Sequence, residues 1–358
     1  MVRRIAVAMS GGVDSTVAAL LLRREGYEVV GLTMRLYETA ARGSRGCCTP
    51  ADLRDARQVA HQLGIPHYLL DSQAVFRETV VSGFVREYLA GRTPNPCLVC
   101  NNSVKFSYLW DRAAQLAAGF IATGHYARRE ARDGRIALRR ARDPDKDQSY
   151  FLAGLTQDQL TFARFPLGDL TKGAVRALAG ELGLATAGKP ESQDICFVPG
   201  RDYAAVVGRE AAAAGLTPRR GVVRTAEGVA LREHAGVHHF TVGQRRGIGV
   251  AAGVPLYVLS VDGTTGDVVV GEEPALSRSA LRVAGVNWIS VPAIDRPRRA
   301  TVQIRHHHAG APATLHPELA GTIRVEFDAP QRAIAPGQAA VFYEDEYVLG
   351  GGWIDAAL

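Results

Sequence analysis

Six residues, Ser10-Gly11-Gly12-Val13-Asp14-Ser15, stand between an apolar run, RIAVAM, and an amphipathic one, STVAALLLRREG. This junction constrains the fold more than any other feature of the chain. The first run has the length and apolarity of a buried strand. The second places Val17, Leu20 and Leu21 on one helical stripe and closes at Gly26. The first N–H groups of a helix have no acceptor inside it, so they point at whatever lies above the turn. The helix dipole favours negative charge there. Gly11 and Gly12 permit close approach and unusual dihedrals. Ser10, Ser15 and Thr16 add hydroxyl donors. Asp14 would repel a bare phosphate, so a magnesium ion is expected between them. The turn is therefore read as a phosphate site, but not as a Walker loop. The nearest approach to that pattern, Gly183 to Lys189, follows a helix and has Pro190 where a hydroxyl is required.

The same alternation continues. YEVVGLTM, IPHYLLD and FIATGHYA read as strands, and PADLRDARQVAHQLG as a helix carrying Leu53, Ala56, Val59, Ala60 and Leu63 on one face. Strands alternating with helices predict a parallel sheet covered on both sides. After about residue 200 the period shortens to two, and Asp-Gly and Thr-Gly turns separate short runs. The 358 residues suffice for three domains. The expectation is an α/β domain over 1–200, a small β-rich linking domain over 201–274 and a C-terminal β barrel or sandwich over 275–358.

The net charge of +6 suits a polyanionic partner but does not identify one. No uninterrupted apolar run approaches the roughly 18 residues of a membrane span. The first ten residues run directly into the glycine turn, so a cytoplasmic protein without a membrane partner is expected. The five cysteines, Cys47, Cys48, Cys97, Cys100 and Cys196, are an odd number, which argues against a disulfide framework and leaves metal binding or thiol chemistry. Cys97 and Cys100 have C-x-x-C spacing in TPNPCLVCNN, a Pro/Asn-rich stretch read as a loop that exposes them. That pair alone could be half a zinc site, but no second close pair supplies the other ligands. His306, His307 and His308 follow a strand-like run. Neighbours on a strand alternate faces and cannot share one ion, and His238 and His239 fail similarly.

SGGVDS resembles the pyrophosphate loop of the PP-loop ATP pyrophosphatase superfamily. The further matches are GCCTPADLRDARQVAHQLGIPHYLLD, TPNPCLVCNNSVKF, ATGHYA, KDQSYFL, ESQDICFVP and HHFTVGQRRGIG. Together they resemble the tRNA-specific 2-thiouridylase family across nearly the whole chain, most loosely at its C-terminal end. The resemblance implies an adenine nucleotide α-hydrolase-like N-terminal domain and ATP-dependent 2-thiolation of the wobble uridine of tRNA. The uridine C2 oxygen is adenylated, sulfur then replaces it, and AMP and pyrophosphate are released. It implies that Ala8, Met9, Ser10, Gly11, Gly12, Val13, Asp14, Ser15, Met34 and Gly124 bind ATP with Mg2+. Asn95, Pro96 and Cys97 would lie at the target base. His125, Lys146, Asp147, Gln148, Arg305, His306 and Gln338 would contact tRNA. Cys196 would receive a persulfide from a sulfur-donor protein or cysteine desulfurase relay, with Cys100 as the nucleophile. A transient Cys100–Cys196 disulfide would end the turnover. Cys97 departs from the family pattern, which has Asp there. Three cysteines also resemble a branch in which Cys97, Cys100 and Cys196 would hold a [4Fe-4S] cluster. Both sulfur routes stay open at the level of sequence. Cys47 and Cys48 receive no catalytic role.

Overall fold

The computed structural model describes residues 3–37, 50–181, 183 and 195–358. Cys47 and Cys48 lie outside the described residues. The first seven strands are β1 (Arg4–Ala8), β2 (Glu28–Arg35), β3 (His67–Asp71), β4 (Phe120–Ala122), the hairpin of β5 (Arg128–Arg132) and β6 (Arg135–Arg139), and β7 (Ala163–Arg164). Five of them form a parallel sheet of order β3-β2-β1-β4-β7, with Ala6 opposite Val30 on one side and Ile121 on the other. The chain proceeds outward from β1 to β3 and then returns to β4. The switch point between β1 and β4 opens a crevice at the C-terminal ends of these strands.

β1 is apolar throughout because both faces are covered. Ile5 and Val7 pack with α1 (Val13–Arg24) and α2 (Pro50–Gln62), whereas Ala6 belongs to the core on the opposite side. α1 ends where Gly26 adopts φ +86° and donates its N–H to the Arg23 carbonyl at 3.0 Å.

A second sheet, in order β10-β11-β8-β9, is built from β8 (Gly221–Thr225), β9 (Ala230–His234), β10 (Tyr257–Val261) and β11 (Val268–Gly271). It surrounds a small core of Val223, Phe240, Ile248, Val258, Val268 and Val270. The last six strands are β12 (Ser277–Trp288), β13 (Arg298–Gln303), β14 (Ala311–Pro317), β15 (Ile323–Arg332), β16 (Ala339–Glu344) and β17 (Tyr347–Ala357). They close into a barrel through the β12–β17 pairing.

The barrel is fused to the first domain. β6 adds to the outer edge of β17, pairing Leu138 with Val348 and Arg139 with Tyr347. β16 shows why its sequence, AAVFYE, is apolar at every position but the last. Ala340 and Phe342 fill the barrel, and Ala339, Val341 and Tyr343 belong to the core of the first domain. Full burial of side chains such as Val341 and Tyr343 stabilises by about 1.5–3 kcal/mol each.

Two local expectations are corrected. The stretch after Asn95 is not an exposed loop. It forms a helix, Pro96–Val99, that continues as a π-helical run, Cys100–Tyr108, because Asn95 Oδ1 accepts the Leu98 N–H at 3.2 Å and Pro96 starts the first turn. Residues 305–308 form a turn rather than a strand, since β13 ends at Gln303, whose side chain donates to the carbonyls of Arg305 and His306.

Candidate functional site

The crevice at the switch point is a cleft of about 300 Å³. Ala8, Met9, Ser10, Gly12, Val13, Asp14 and Ser15 line one side, Met34 the end of β2, and Thr123, Gly124, His125 and Tyr126 the loop after β4. Gly12 is the N-cap of α1, in extended conformation and without a side-chain cap, so the first-turn N–H groups are left for a ligand above the loop. Gly11, at φ +72°, does not line the cleft. A Cβ there would strike the Asp52 carbonyl of α2, so this glycine lets α2 close on the loop. Gly124 has a similar role, because a Cβ would come within 2.7 Å of the first turn of α1.

The loop hydroxyls are partly spent within it. Ser15 Oγ and Thr16 Oγ1 donate to the Gly12 carbonyl at 3.1 and 2.9 Å, and Ser15 Oγ accepts the Ser10 N–H at 3.2 Å. Asp14 does not face empty space. Lys172 Nζ contacts its two carboxylate oxygens at 2.7 and 2.8 Å, and the Tyr126 hydroxyl donates to it at 2.8 Å. A buried ammonium therefore stands where the sequence led to an expectation of magnesium. Among the described residues, Asp14 and Asp52 are the carboxylates that line the cleft, and they are the residues that would hold the magnesium accompanying a nucleotide.

Lys105, Lys146 and Lys172 give the cleft three ammonium groups, which suits a polyphosphate. Lys105, Tyr126 and Lys172 are missing from the residues expected from the sequence. Tyr126 lies in ATGHYA and Lys105 in the VKF end of the cysteine motif, so both carried a local signal. Lys172 opens an ordinary amphipathic helix, Lys172–Glu181, and carries none. His125 Nδ1 lies 2.7 Å from Thr123 Oγ1. Burial, with the Lys105 charge nearby, pushes its pKa well below the usual histidine value, so it is neutral at pH 7. Gln148 lines the cleft and accepts the Tyr126 N–H through Oε1 at 3.0 Å. Asp147 points inward instead, accepting from Ala141 N, Ser149 N, Ser149 Oγ and Arg140 Nη1.

The thiols lie outside the cleft lining. Cys100 is buried at the start of the π-helical run, and Cys97 is half-buried one turn earlier. Cys196 is half-buried in a turn closed by Val198 N–H to the Ile195 carbonyl, and the adjoining Phe197 anchors that turn among Tyr37, Phe76 and Phe84. The three are not joined in a disulfide. Among the described residues, no group of three or more His, Cys, Asp or Glu side chains is placed as a metal site requires.

The barrel reaches the same helix. The His306 ring packs 4.4 Å from Phe151, whose carbonyl accepts from Asn101 Nδ2, the residue after Cys100. Arg305 is half-buried beside it and donates to the Arg332 carbonyl. Gln338 contacts the segment before Asn95. Among the described residues, no helix is long and apolar enough to cross a membrane.

Three family models match the chain: the tRNA methyl transferase HUP domain over residues 3–200, the tRNA methyl transferase PRC-barrel domain over 212–272 and the aminomethyltransferase beta-barrel domain over 278–354. The tRNA-specific 2-thiouridylase MnmA of Acidobacterium capsulatum is 48% identical, with 98% of each chain covered. That of Solibacter usitatus is 49% identical over 98% of this chain and 99% of its own. Among solved structures, the U34-tRNA thiolase NcsA of Methanococcus maripaludis aligns at a TM-score of 0.35 and 18% identity, covering 58% of this chain and 65% of its own.

Proposed function

The chain belongs to the tRNA-specific 2-thiouridylase family, and from that membership we propose that it converts the wobble uridine of tRNA to 2-thiouridine by adenylation followed by sulfur transfer. It is a tRNA sulfurtransferase of the ATP-using PP-loop kind. The observation that carries the reading is the helical run holding Cys100. Its nine-residue span also contains Lys105, which lines the cleft, so one helical element links thiol and phosphate chemistry.

In the first step the uridine O2 attacks the α-phosphorus of ATP, and pyrophosphate leaves. The first-turn N–H groups of α1 and the ammonium groups of Lys172 and Lys105 stabilise the charge that develops on the phosphates. In the second step the terminal sulfur of a Cys196 persulfide attacks C2. The C2–O bond breaks, and the oxygen leaves with AMP. The Cys100 thiolate then attacks the Cys196 sulfur, freeing the thiocarbonyl and forming a Cys100–Cys196 disulfide that a reductant must open. The persulfide comes from a sulfur-donor relay. Neutral His125, Lys146 and Gln148 line the cleft, and on the barrel side Arg305 lies beside His306, whose ring packs on Phe151. Together they form the surface that receives the anticodon loop.

The test is reconstitution. The protein is incubated with ATP, a transcript bearing U34 and a persulfide-charged cysteine desulfurase. The expected products are AMP, pyrophosphate and 2-thiouridine in equal amounts. AMP formation without 2-thiouridine under reducing conditions would overturn the sulfur step, and absence of both would overturn the assignment.

A further inference from the structure

Asn95 caps the helix that carries Cys97 and Cys100, but the two residues before it belong structurally to the barrel. The Thr93 N–H donates to the Pro336 carbonyl at 2.8 Å. Gln338 Nε2 donates to the Thr93 carbonyl at 3.0 Å and to the Pro94 carbonyl at 3.3 Å. Arg92 reaches the Ile354 carbonyl at 3.1 Å and Asp355 at 3.5 Å. On the other side of the segment, Tyr150 donates to the Ala339 carbonyl at 3.0 Å. The approach is close enough to need Gly337, which has φ +89°, because a Cβ there would lie 2.9 Å from the Thr93 nitrogen.

Gln338 is itself held. Its carbonyl accepts the Ile354 N–H at 2.8 Å, and the neighbouring Gly337 N–H donates to the Ile354 carbonyl at 2.9 Å. Its amide group has two hydrogens and two carbonyl acceptors, leaving Oε1 as its remaining polar atom. Those carbonyls precede the helix Pro96–Val99, which carries Cys97 and continues into Cys100.

We propose that Gln338 is a positioning residue for sulfur transfer. Seated on the barrel, it fixes the carbonyls of Thr93 and Pro94, and so fixes the start of the helix that presents Cys100. The barrel is thus a wall of the thiol site as well as a surface for RNA. This rests on the sulfur-transfer reading above and replaces a direct tRNA contact by the Gln338 amide.

The test compares Gln338→Ala and the isosteric Gln338→Glu with the parent enzyme. Three quantities are read: Kd for the U34 transcript by filter binding, kcat for 2-thiouridine formation at saturating tRNA, and the rate of Cys100 alkylation by iodoacetamide, quantified by mass spectrometry. The expectation is a tenfold or greater fall in kcat, a Kd within twofold of the parent and Cys100 alkylation at least threefold faster. Gln338→Glu keeps the size of the side chain but sets a carboxylate against two carbonyls, so it behaves likewise without leaving a gap in the barrel wall. A tenfold weaker Kd with unchanged kcat would overturn the proposal and make Gln338 a tRNA contact. Alkylation within twofold of the parent in both variants would also overturn it. The alkylation readout needs no turnover, so it separates failure of this inference from failure of the thiolation reading.

Discussion

Lys172 and Asp14 stand 158 residues apart in the chain, yet the lysine Nζ lies 2.7 and 2.8 Å from the two carboxylate oxygens. The lysine side chain is almost wholly buried and the aspartate partly so. The pair ties the helix Lys172–Glu181 to the phosphate loop and fixes a positive charge in the cleft. In Lys172→Met the apolar stem remains and the charge is lost. The expected result is a fall of roughly 100-fold or more in pyrophosphate release with tRNA Kd unchanged. Pyrophosphate release at the parent rate would remove Lys172 from the chemistry.

Asp14→Ala takes the partner from a buried ammonium, which is costlier than removing the ammonium itself. A broken buried pair costs about 3–5 kcal/mol, reduced here because Asp14 is partly open to water. Asp14→Ala should therefore melt at lower temperature than Lys172→Met, and it should also fail to release pyrophosphate. Melting temperatures of both variants equal to the parent's would mean that the pair contributes nothing to stability.

The three cysteines separate by role. Cys100→Ser and Cys196→Ser should abolish 2-thiouridine while still releasing pyrophosphate in the presence of tRNA. Cys97→Ala should keep thiolation on the persulfide route proposed above, in which only Cys100 and Cys196 carry sulfur. The check is nucleoside mass spectrometry alongside iron and sulfide counts on anaerobically purified protein. Stoichiometric iron that disappears in Cys97→Ala, together with activity, would establish the cluster route instead.

Cutting the chain near residue 275 should do more than weaken RNA binding. Ala339, Val341, Tyr343 and Val348 belong to the core of the first domain, and β6 loses its partner strand when β17 is removed. Residues 1–275 alone should expose that apolar surface and aggregate or bind a hydrophobic dye. A monodisperse fragment with the parent's tRNA affinity would refute the shared core.

Acid should weaken the fold below the ordinary histidine range. Burial, and then the nearby His239 and His234, push the His238 pKa down to about 4. Burial likewise lowers His67, His125, His234, His306 and His308. Their folded-state values lie below the unfolded value of about 6.5, so the unfolded chain binds more protons between the two. Stability is therefore complete above pH 6.5 and is lost as the pH falls toward 4. Melting temperatures measured across this window should decline, and His238→Phe should flatten part of the decline. An unchanged slope in that variant would place the titration on the other histidines.

The phosphate loop, the parallel sheet and the barrel class were legible because each rests on local pattern. A strand, two glycines and a helix in series orient N–H groups whatever surrounds them, and alternation with period two marks strands. The β5–β6 hairpin turns at Asp133-Gly134, with φ of 51° and 74°, a local signal that went unread. Its destination was not legible, because joining β17 depends on a strand more than 200 residues later. The AAVFYE run is apolar at every position but the last, yet nothing in it says that the barrel covers one face and the first domain the other. Cys100 was expected on an open loop from its Pro and Asn neighbours. The Asn95 cap and the packing of Val104 and Phe106 made the stretch helical and buried the thiol. Lys172 had no local signal at all. Its role is electrostatic, and an ammonium acquires it only when the fold brings a carboxylate within 3 Å of it while burying the lysine. The sequence by itself determined which groups are chemically able to hold phosphate and sulfur. Tertiary structure decided which of them meet, because side chains meet across chain separations that no local period encodes.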